Sequence, residues 1–329
     1  MCPSVSVLIP TYNEERNIRR CLAAVDAQTY ANIVEILVID GRSADRTRSL
    51  AARNPRVRVL DNPRRLQAAA LNIGLQAARG EIIVRVDGHC RLGPDYVERC
   101  VAALAATGAA MVGGAMHSTA AHSWLSRGIA AAMDSRLGAG PARFHNGDRS
   151  GWVDTVYLGA YRAGLARATG GYREDVGVNE DYEFALRLKP LGGIWLDRSI
   201  RSTYTPRADL PALGRQFYRY GLSRAATIRR HPRSVRVRQL VPPLLAAGLV
   251  SPWRRWVAST YLSTVIVRAA LEARRDPRAC PGFAVAAPVM HLSWAAGLLR
   301  GLVGEYSHRL VTPSGPLCAE APARGLDAA

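Results

Sequence analysis

Between residues 4 and 115 the chain switches four times from a short apolar run to a stretch with helical spacing, and few folds accept that pattern. Val5-Ser-Val-Leu-Ile-Pro10, Val34-Glu-Ile-Leu-Val-Ile39, Val57-Arg-Val-Leu60 and Ile82-Ile-Val-Arg-Val-Asp87 have strand length, and Met111-Val112 opens a fifth strand. Asn13 to Ala27, Ala44 to Arg53, Arg64 to Arg79 and Pro94 to Thr107 lie between them with the periodicity of helices, Ile18, Leu22 and Val25 sharing one face of the first. Asn13 is the expected N-cap of that first helix, and Gly80 the expected C′ residue of the third. Strands this apolar, alternating with helices, predict a parallel sheet covered on both faces.

In such a sheet ligands bind beyond the carboxyl ends of the strands. Three polar clusters fall there: Pro10-Thr-Tyr-Asn-Glu14, Asp40-Gly-Arg-Ser-Ala-Asp45 and Asp87-Gly-His89. One such cluster is explained equally well by helix capping; three on one edge point to a site. No GxGxxG follows the first strand and no GxxxxGK[ST] occurs, which disfavours a dinucleotide fold or a P-loop. An acidic edge facing a phosphorylated ligand calls for a divalent cation between them.

Five segments, in order, resemble the family 2 inverting glycosyltransferases. They are Val5-Ser-Val-Leu-Ile-Pro-Thr-Tyr-Asn-Glu-Glu15, Ile36-Leu-Val-Ile-Asp-Gly-Arg-Ser-Ala-Asp-Arg-Thr47, Gly80-Glu-Ile-Ile-Val-Arg-Val-Asp87, Asn179-Glu-Asp-Tyr-Glu-Phe-Ala-Leu-Arg187 and Gln216-Phe-Tyr-Arg-Tyr220. Any one is weak; the ordered set covers about residues 4–225. The Arg-Val-Asp-Gly-His form and Pro288-Val-Met-His291 resemble the branch that builds succinoglycan-like exopolysaccharides.

The resemblance implies an α/β, GT-A-type, Rossmann-like and mostly parallel sheet with helices on both faces, followed by a basic amphipathic and apolar helical tail. It implies a nucleotide-sugar-binding half at 1–115, an acceptor-side half at 116–208 and a membrane-associating region at 209–310. It also implies a UDP-sugar donor, with Pro10, Tyr12, Glu14, Asp40, Arg42 and Asp87 lining its site. Asp40 would accept from the uracil, and Tyr12 would stack on the base. Asp87 would hold Mn²⁺ or Mg²⁺. His89 stands where the family usually has a second Asp, and imidazole can ligate such an ion or contact phosphate. Asp181 is the implied general base and Glu180 its support; an inverting transfer needs one base opposite the leaving group. Gln216, Arg219 and Tyr220 would meet the acceptor and the diphosphate, Tyr220 replacing the family's usual Trp.

Charge bears on the partners. Lys and Arg outnumber Asp and Glu by 44 to 26, a net +18, and Lys189 is the sole lysine. From Arg198 onward 20 Arg face six acidic residues. A basic stretch of this kind suits phosphates or an anionic membrane surface. Leu210 to Arg230 has the pattern of a basic amphipathic helix, a form that lies on membranes. Of the later apolar stretches only Pro281–Leu299 approaches the ~20 residues of a spanning helix. Together with the resemblance, these features make the expected partners a lipid-linked saccharide or glycan acceptor and an anionic membrane, at the cytoplasmic face. A competing reading is a non-catalytic scaffold that binds anionic lipid or nucleic acid through its arginines. No helix-turn-helix, RRM or zinc-finger pattern supports specific nucleic-acid recognition.

A hydrophobic fraction of 48% excludes a disordered, collagenous or coiled-coil chain. Cys2, Cys21, Cys90, Cys100, Cys280 and Cys318 form no CxxC pair, so reduced thiols are expected. The opening Met1–Val5 has neither a basic n-region nor a long apolar run, so no signal peptide is expected. Trp152 is expected in the core, His117 and His122 outside any metal site, and 311–329 disordered.

Overall fold

The computed structural model describes residues 2–119, 123–140, 143–146, 149–207 and 209–304. His122, Cys318 and the segment 311–329 lie outside them. Among the described residues nine strands form one sheet. They are β1 Val5–Thr11, β2 Ile33–Asp40, β3 Val57–Asp61, β4 Ile82–Arg85, β5 Arg91–Leu92, β6 Met111–Ser118, β7 Gly151–Val153, β8 Tyr157–Arg162 and β9 Ile194–Tyr204. The helices are α1 Ile18–Asp26, α2 Thr47–Ala51, α3 Gln67–Ala77, α4 Tyr96–Thr107, α5 Trp124–Asp134, α6 Arg143–Asn146, α7 Ala163–Ala168, α8 Glu180–Leu188, α9 Leu210–Arg230, α10 Val241–Leu249, α11 Arg254–Ala273 and α12 Cys280–Val303.

The spatial order is β3-β2-β1-β4-β8-β6-β9-β5, with β7 against β9. β1 pairs in parallel with β2 and β4, and β2 with β3. This is the α/β half that the alternation predicts. Beyond β4 the sheet is mixed: β8 runs antiparallel to β4 and β6, while β6 and β9 are parallel. β8 follows the excursion through α5, α6 and β7 rather than a single helical crossover, so it is free to enter in the opposite sense. Residues 4–115 and 116–208 therefore contribute to one sheet.

Alternating side chains of β1 separate the two cores. Val5, Val7 and Ile9 face Ile18, Leu22 and Val25 of α1 and Tyr96, Val97 and Leu104 of α4. Leu8 faces Leu71 and Leu75 of α3, in the layer that also holds Tyr161 and Phe184. Each such fully buried aliphatic contributes about 1.5–3 kcal/mol.

Two local expectations are corrected. α1 begins at Ile18, not Asn13. Asn13 has φ 54°, and its side-chain oxygen accepts the Ala44 N–H at 2.8 Å, so it ties two loops together instead of capping a helix. Gly80 is not a cap glycine. A Cβ there would lie 2.4 Å from the Ser6 nitrogen, so the residue lets the chain pass close against β1.

The tail forms a third core. Ile129 and Met133 of α5, Leu213 and Phe217 of α9, Val265 of α11 and Phe283 and Met290 of α12 pack together. α9 and α12 touch backbone to backbone: a Cβ on Gly297 would sit 2.0 Å from the Tyr218 carbonyl oxygen, and one on Gly221 2.1 Å from that of Trp294. Among the described residues one helix, Pro277–Val303, is long and apolar enough to cross a membrane. It is built into the catalytic body along α9 and α5.

Trp152 is not in the core. It is 54% exposed, its ring meeting Trp195 edge-on at 5.1 Å, because β7 is a three-residue strand paired only with β9. His117 is exposed, and the one metal-capable group among the described residues does not include it. Cys2, Cys21, Cys90, Cys100 and Cys280 are free thiols.

Candidate active site

The loops leaving β1, β2 and β3 each carry a non-glycine residue in the left-handed region: Asn13, Arg42 at φ 59° and Arg65 at φ 56°. Such conformations cost energy and gather where function constrains the chain. Asp40 organises this edge. It is fully buried, accepts the Ser43 N–H at 3.0 Å and the Ser43 hydroxyl at 2.6 Å, and Thr11 lies 3.4 Å away. Its carboxylate is turned toward its own loop. Pro10 is buried in β1, Arg42 is exposed, and the Tyr12 ring lies under the Arg65 guanidinium at 5.7 Å. These residues form a ledge beside a cleft of about 1040 Å³ and do not line it.

The cleft begins where β4 ends. Asp87 is nearly buried, and one of its oxygens, Oδ1, accepts Arg85 Nε–H at 3.0 Å and Gln67 Nε2–H at 3.2 Å. Its Oδ2 has no partner among the described residues. His89 Nδ1 lies 3.0 Å from Glu14 Oε1, and Glu14 is itself held by Asn17 at 2.9 Å. Burial opposes a charge on the His89 ring, but the bond to Glu14 and the charges of Glu14 and Asp87 raise its pKa. With Nδ1 anchored on Glu14, Nε2 is the nitrogen left to bind an ion. Asp87, His89 and Cys90 offer ligand atoms within 4.8 Å of one another. Burial pushes the Cys90 thiol well up, and it is bonded to the Tyr157 hydroxyl, so it stays a protonated neighbour. One carboxylate oxygen and one imidazole nitrogen, each fixed through its other atom, fit a borderline divalent ion.

The start of α8 brings a second acidic pair to the same cleft. Glu180 is buried and Asp181 half-buried, with Asp181 Oδ1 accepting the Tyr182 N–H at 2.7 Å. Withdrawal from solvent raises both carboxyls. Arg85 works against the rise, like-charge repulsion from Asp181 adds to it, and Glu180 is pushed up to about 7. Arg85 Nη1 lies 3.2 Å from Glu180 Oε1, close but not aligned as a hydrogen bond, and Glu180 Oε2 has no partner. On the opposite wall Gln216 Nε2 donates to the hydroxyls of Tyr220 at 2.8 Å and Tyr204 at 3.2 Å. Tyr220 thus supplies a hydroxyl that the family's Trp would lack. Arg219 stands near Arg207 and Arg215; burial and then their repulsion lower its pKa.

The glycosyl transferase family 2 model matches residues 6–162. The succinoglycan biosynthesis protein ExoA of Rhizobium meliloti (strain 1021) is 33% identical over 314 residues, covering 90% of this chain and 94% of that one. The chain belongs to the family 2 glycosyltransferases. A transferase of Methanococcus voltae, named as a dolichyl N-acetyl-α-D-glucosaminyl phosphate 3-β-D-2,3-diacetamido-2,3-dideoxy-β-D-glucuronosyltransferase, is 25% identical over 240 residues, 69% of this chain and 74% of that one. The solved mannosyltransferase PcManGT of Pyrobaculum calidifontis, in complex with GDP-Man and Mn²⁺, shares the fold at a TM-score of 0.60 and 21% identity, over 92% of this chain and 88% of that one.

This glycosyltransferase therefore gathers Asp87, His89, Glu180, Asp181, Gln216, Arg219 and Tyr220 around one cleft, with Glu14 directly behind His89. It keeps Pro10, Tyr12, Asp40 and Arg42 apart from that cleft. Sequence reasoning passed over Arg85, Gln67, Arg207 and Arg215. Arg85 had a signal: a charge inside a wholly apolar strand, two residues from Asp87 and so on the same face. Gln67 had none.

Proposed function

We propose that this glycosyltransferase moves a hexose from a UDP-sugar to a hydroxyl of a lipid-linked or polysaccharide acceptor, with inversion, at the cytoplasmic face of the cell membrane. The observation that carries the reading is one cleft that holds both a metal-capable Asp87–His89 pair and, across Arg85, an acidic pair with raised pKa values. A carboxylate raised toward neutrality is suited to take a proton from an acceptor hydroxyl. Asp181 is the base in this scheme, and Glu180 beside it keeps it basic. Asp87 and His89 would hold the divalent ion. When bound, Mn²⁺ or Mg²⁺ would offset charge on the departing diphosphate. Arg219 and Gln216 contact phosphate and sugar oxygens on the acceptor side, and Tyr12 and the Asp40 loop border the nucleotide.

The tail supports the membrane reading. Val250, Trp253 and Trp256 are 86%, 69% and 74% exposed, and Arg254 and Arg255 lie between the two tryptophans. Indole rings beside arginines suit a headgroup layer of anionic lipid. The lipid-linked acceptor is supported by the dolichyl phosphate in the name of the Methanococcus relative.

Calorimetric titration of UDP, UDP-glucose and GDP-mannose, with and without Mn²⁺, tests the donor side. Metal-dependent binding of the uridine nucleotides supports the reading. Preference for GDP-mannose overturns the UDP assignment, and no nucleotide binding by folded protein overturns the donor site.

A further inference from the structure

We propose that Arg85 is the positioning residue that fixes the acceptor-side base in register with the ion site; this rests on the transferase reading above. The guanidinium is 4% exposed and reaches in two directions: Nε to Asp87 Oδ1 at 3.0 Å and Nη1 to Glu180 Oε1 at 3.2 Å. No other cation among the described residues forms an ion pair with either carboxylate. Arg85 sits on β4, whose neighbours are β1 and β8, so its own position is set by the centre of the sheet. Asp87 follows two residues later in the same chain. Glu180 comes from α8, nearly a hundred residues on, and opens the turn that carries Asp181.

Burying an arginine costs several kcal/mol unless carboxylates repay it, and a strand interior needs none. Its value here is geometric. Asp87 already has a second donor in Gln67, so the carboxylate of the ion site survives without Arg85. Glu180 has no second side-chain donor: its Oε2 is buried without a partner, and Arg85, with Nη1 3.2 Å from Oε1, is its one ion-pair partner among the described residues. Loss of the fork would therefore leave the ion site in place and free the first turn of α8. A shift of about 1 Å between a base and the reacting centre can cost about 10²-fold in rate.

Lysine is the informative replacement, because one ammonium cannot reach both carboxylates with the fixed geometry of a guanidinium. The full chain carrying Arg85→Lys, Glu180→Gln or both would be compared with wild type. The readouts are Mn²⁺ binding alone by electron paramagnetic resonance, donor KM, and kcat from UDP release with the donor selected from a sugar-nucleotide panel and a lipid extract as acceptor. For Arg85→Lys the expected result is Mn²⁺ affinity and donor KM within about threefold of wild type and kcat down about 10²-fold. Glu180→Gln should show the same split with a smaller loss. The double variant should be no slower than Arg85→Lys, since the two act as one unit. A wild-type kcat in Arg85→Lys, a loss confined to Mn²⁺ affinity or KM, or losses that multiply in the double variant would each overturn the proposal. Should Arg85→Lys fail to fold, Glu180→Gln decides alone, and an unchanged kcat overturns it. If the wild type turns over no donor, the transferase reading itself falls, and this proposal with it.

Discussion

Acidifying the reaction tests the proposed base directly. Burial raises both members of the Glu180–Asp181 pair, Arg85 lowers them, and Glu180 ends at about 7. Two adjacent carboxyls of this kind take up their protons as a unit. The sign follows from the chemistry: the base must be ionised, so activity is full above the pair's upper pKa and falls as pH drops through it. The first proton, arriving near 7, leaves Asp181 less basic; the second removes the base, after which kcat falls about tenfold per pH unit. Initial rates at saturating donor and Mn²⁺, from about pH 8.5 to about pH 5, would show a two-step acid limb. In Glu180→Gln that position is neutral throughout, so the upper step disappears and only the lower step remains, near its wild-type pH. UDP affinity in the presence of Mn²⁺, measured at the same pH values, separates this from protonation of His89, which would weaken binding rather than kcat. A rate that stays flat down to about pH 5, or a limb identical in Glu180→Gln, would refute the reasoning.

Asp181→Asn should lower kcat about 10²–10⁴-fold while UDP binding with Mn²⁺ stays intact by calorimetry; joint loss would point to a structural role instead. Glu14→Ala should weaken Mn²⁺ binding about 10–100-fold, because the His89 ring loses its anchor, and an unchanged affinity would break the proposed ion site. Gly297→Ala should cost about 1–3 kcal/mol in unfolding free energy, since its methyl collides with the Tyr218 carbonyl oxygen. A variant whose thermal unfolding matches wild type would mean that α12 does not support the catalytic body.

What the sequence made legible follows from periodicity and from strand ends. β1 to β4 were visible because each is an apolar run closed by Pro, Asp or Asn, and a parallel sheet sends all of those ends to one edge. Asp87, His89 and Asp181 were found because motif residues cluster at element termini, whereas Gln216 and Arg219, in the middle of α9, were found only through the family resemblance. The missed residues depend on which distant elements become neighbours. The tie between Glu14 and His89 spans 75 positions, and that between Arg85 and Glu180 spans 95. Neither follows from spacing along the chain. Asp40 shows the converse: its type and place match a donor-site residue, yet the turn through Ser43 takes up its oxygens.

The arginine surplus makes the same distinction in charge. Counted along the chain, α9 looks like a cationic helix made for a membrane surface. In the fold it packs along α12, and its arginines have separate uses. Arg215 and Arg219 line the cleft. Arg224 is buried over the Tyr182 ring at 4.8 Å and bonds to Ser234 and Gln239. Arg229 holds the carbonyls of Gly301 and Gly304 at the end of α12, and Arg230 pairs with Asp175. A guanidinium that satisfies backbone carbonyls or lies buried over a ring offers little to a bilayer. Beyond α9 the exposed charge is Arg254–Arg255 beside Trp253 and Trp256, with Arg233, Arg238, Arg274, Arg275, Arg278 and Arg300 also open to solvent. Membrane attraction should therefore come less from α9 than its count of arginines implies, and more from the exposed arginines that follow it.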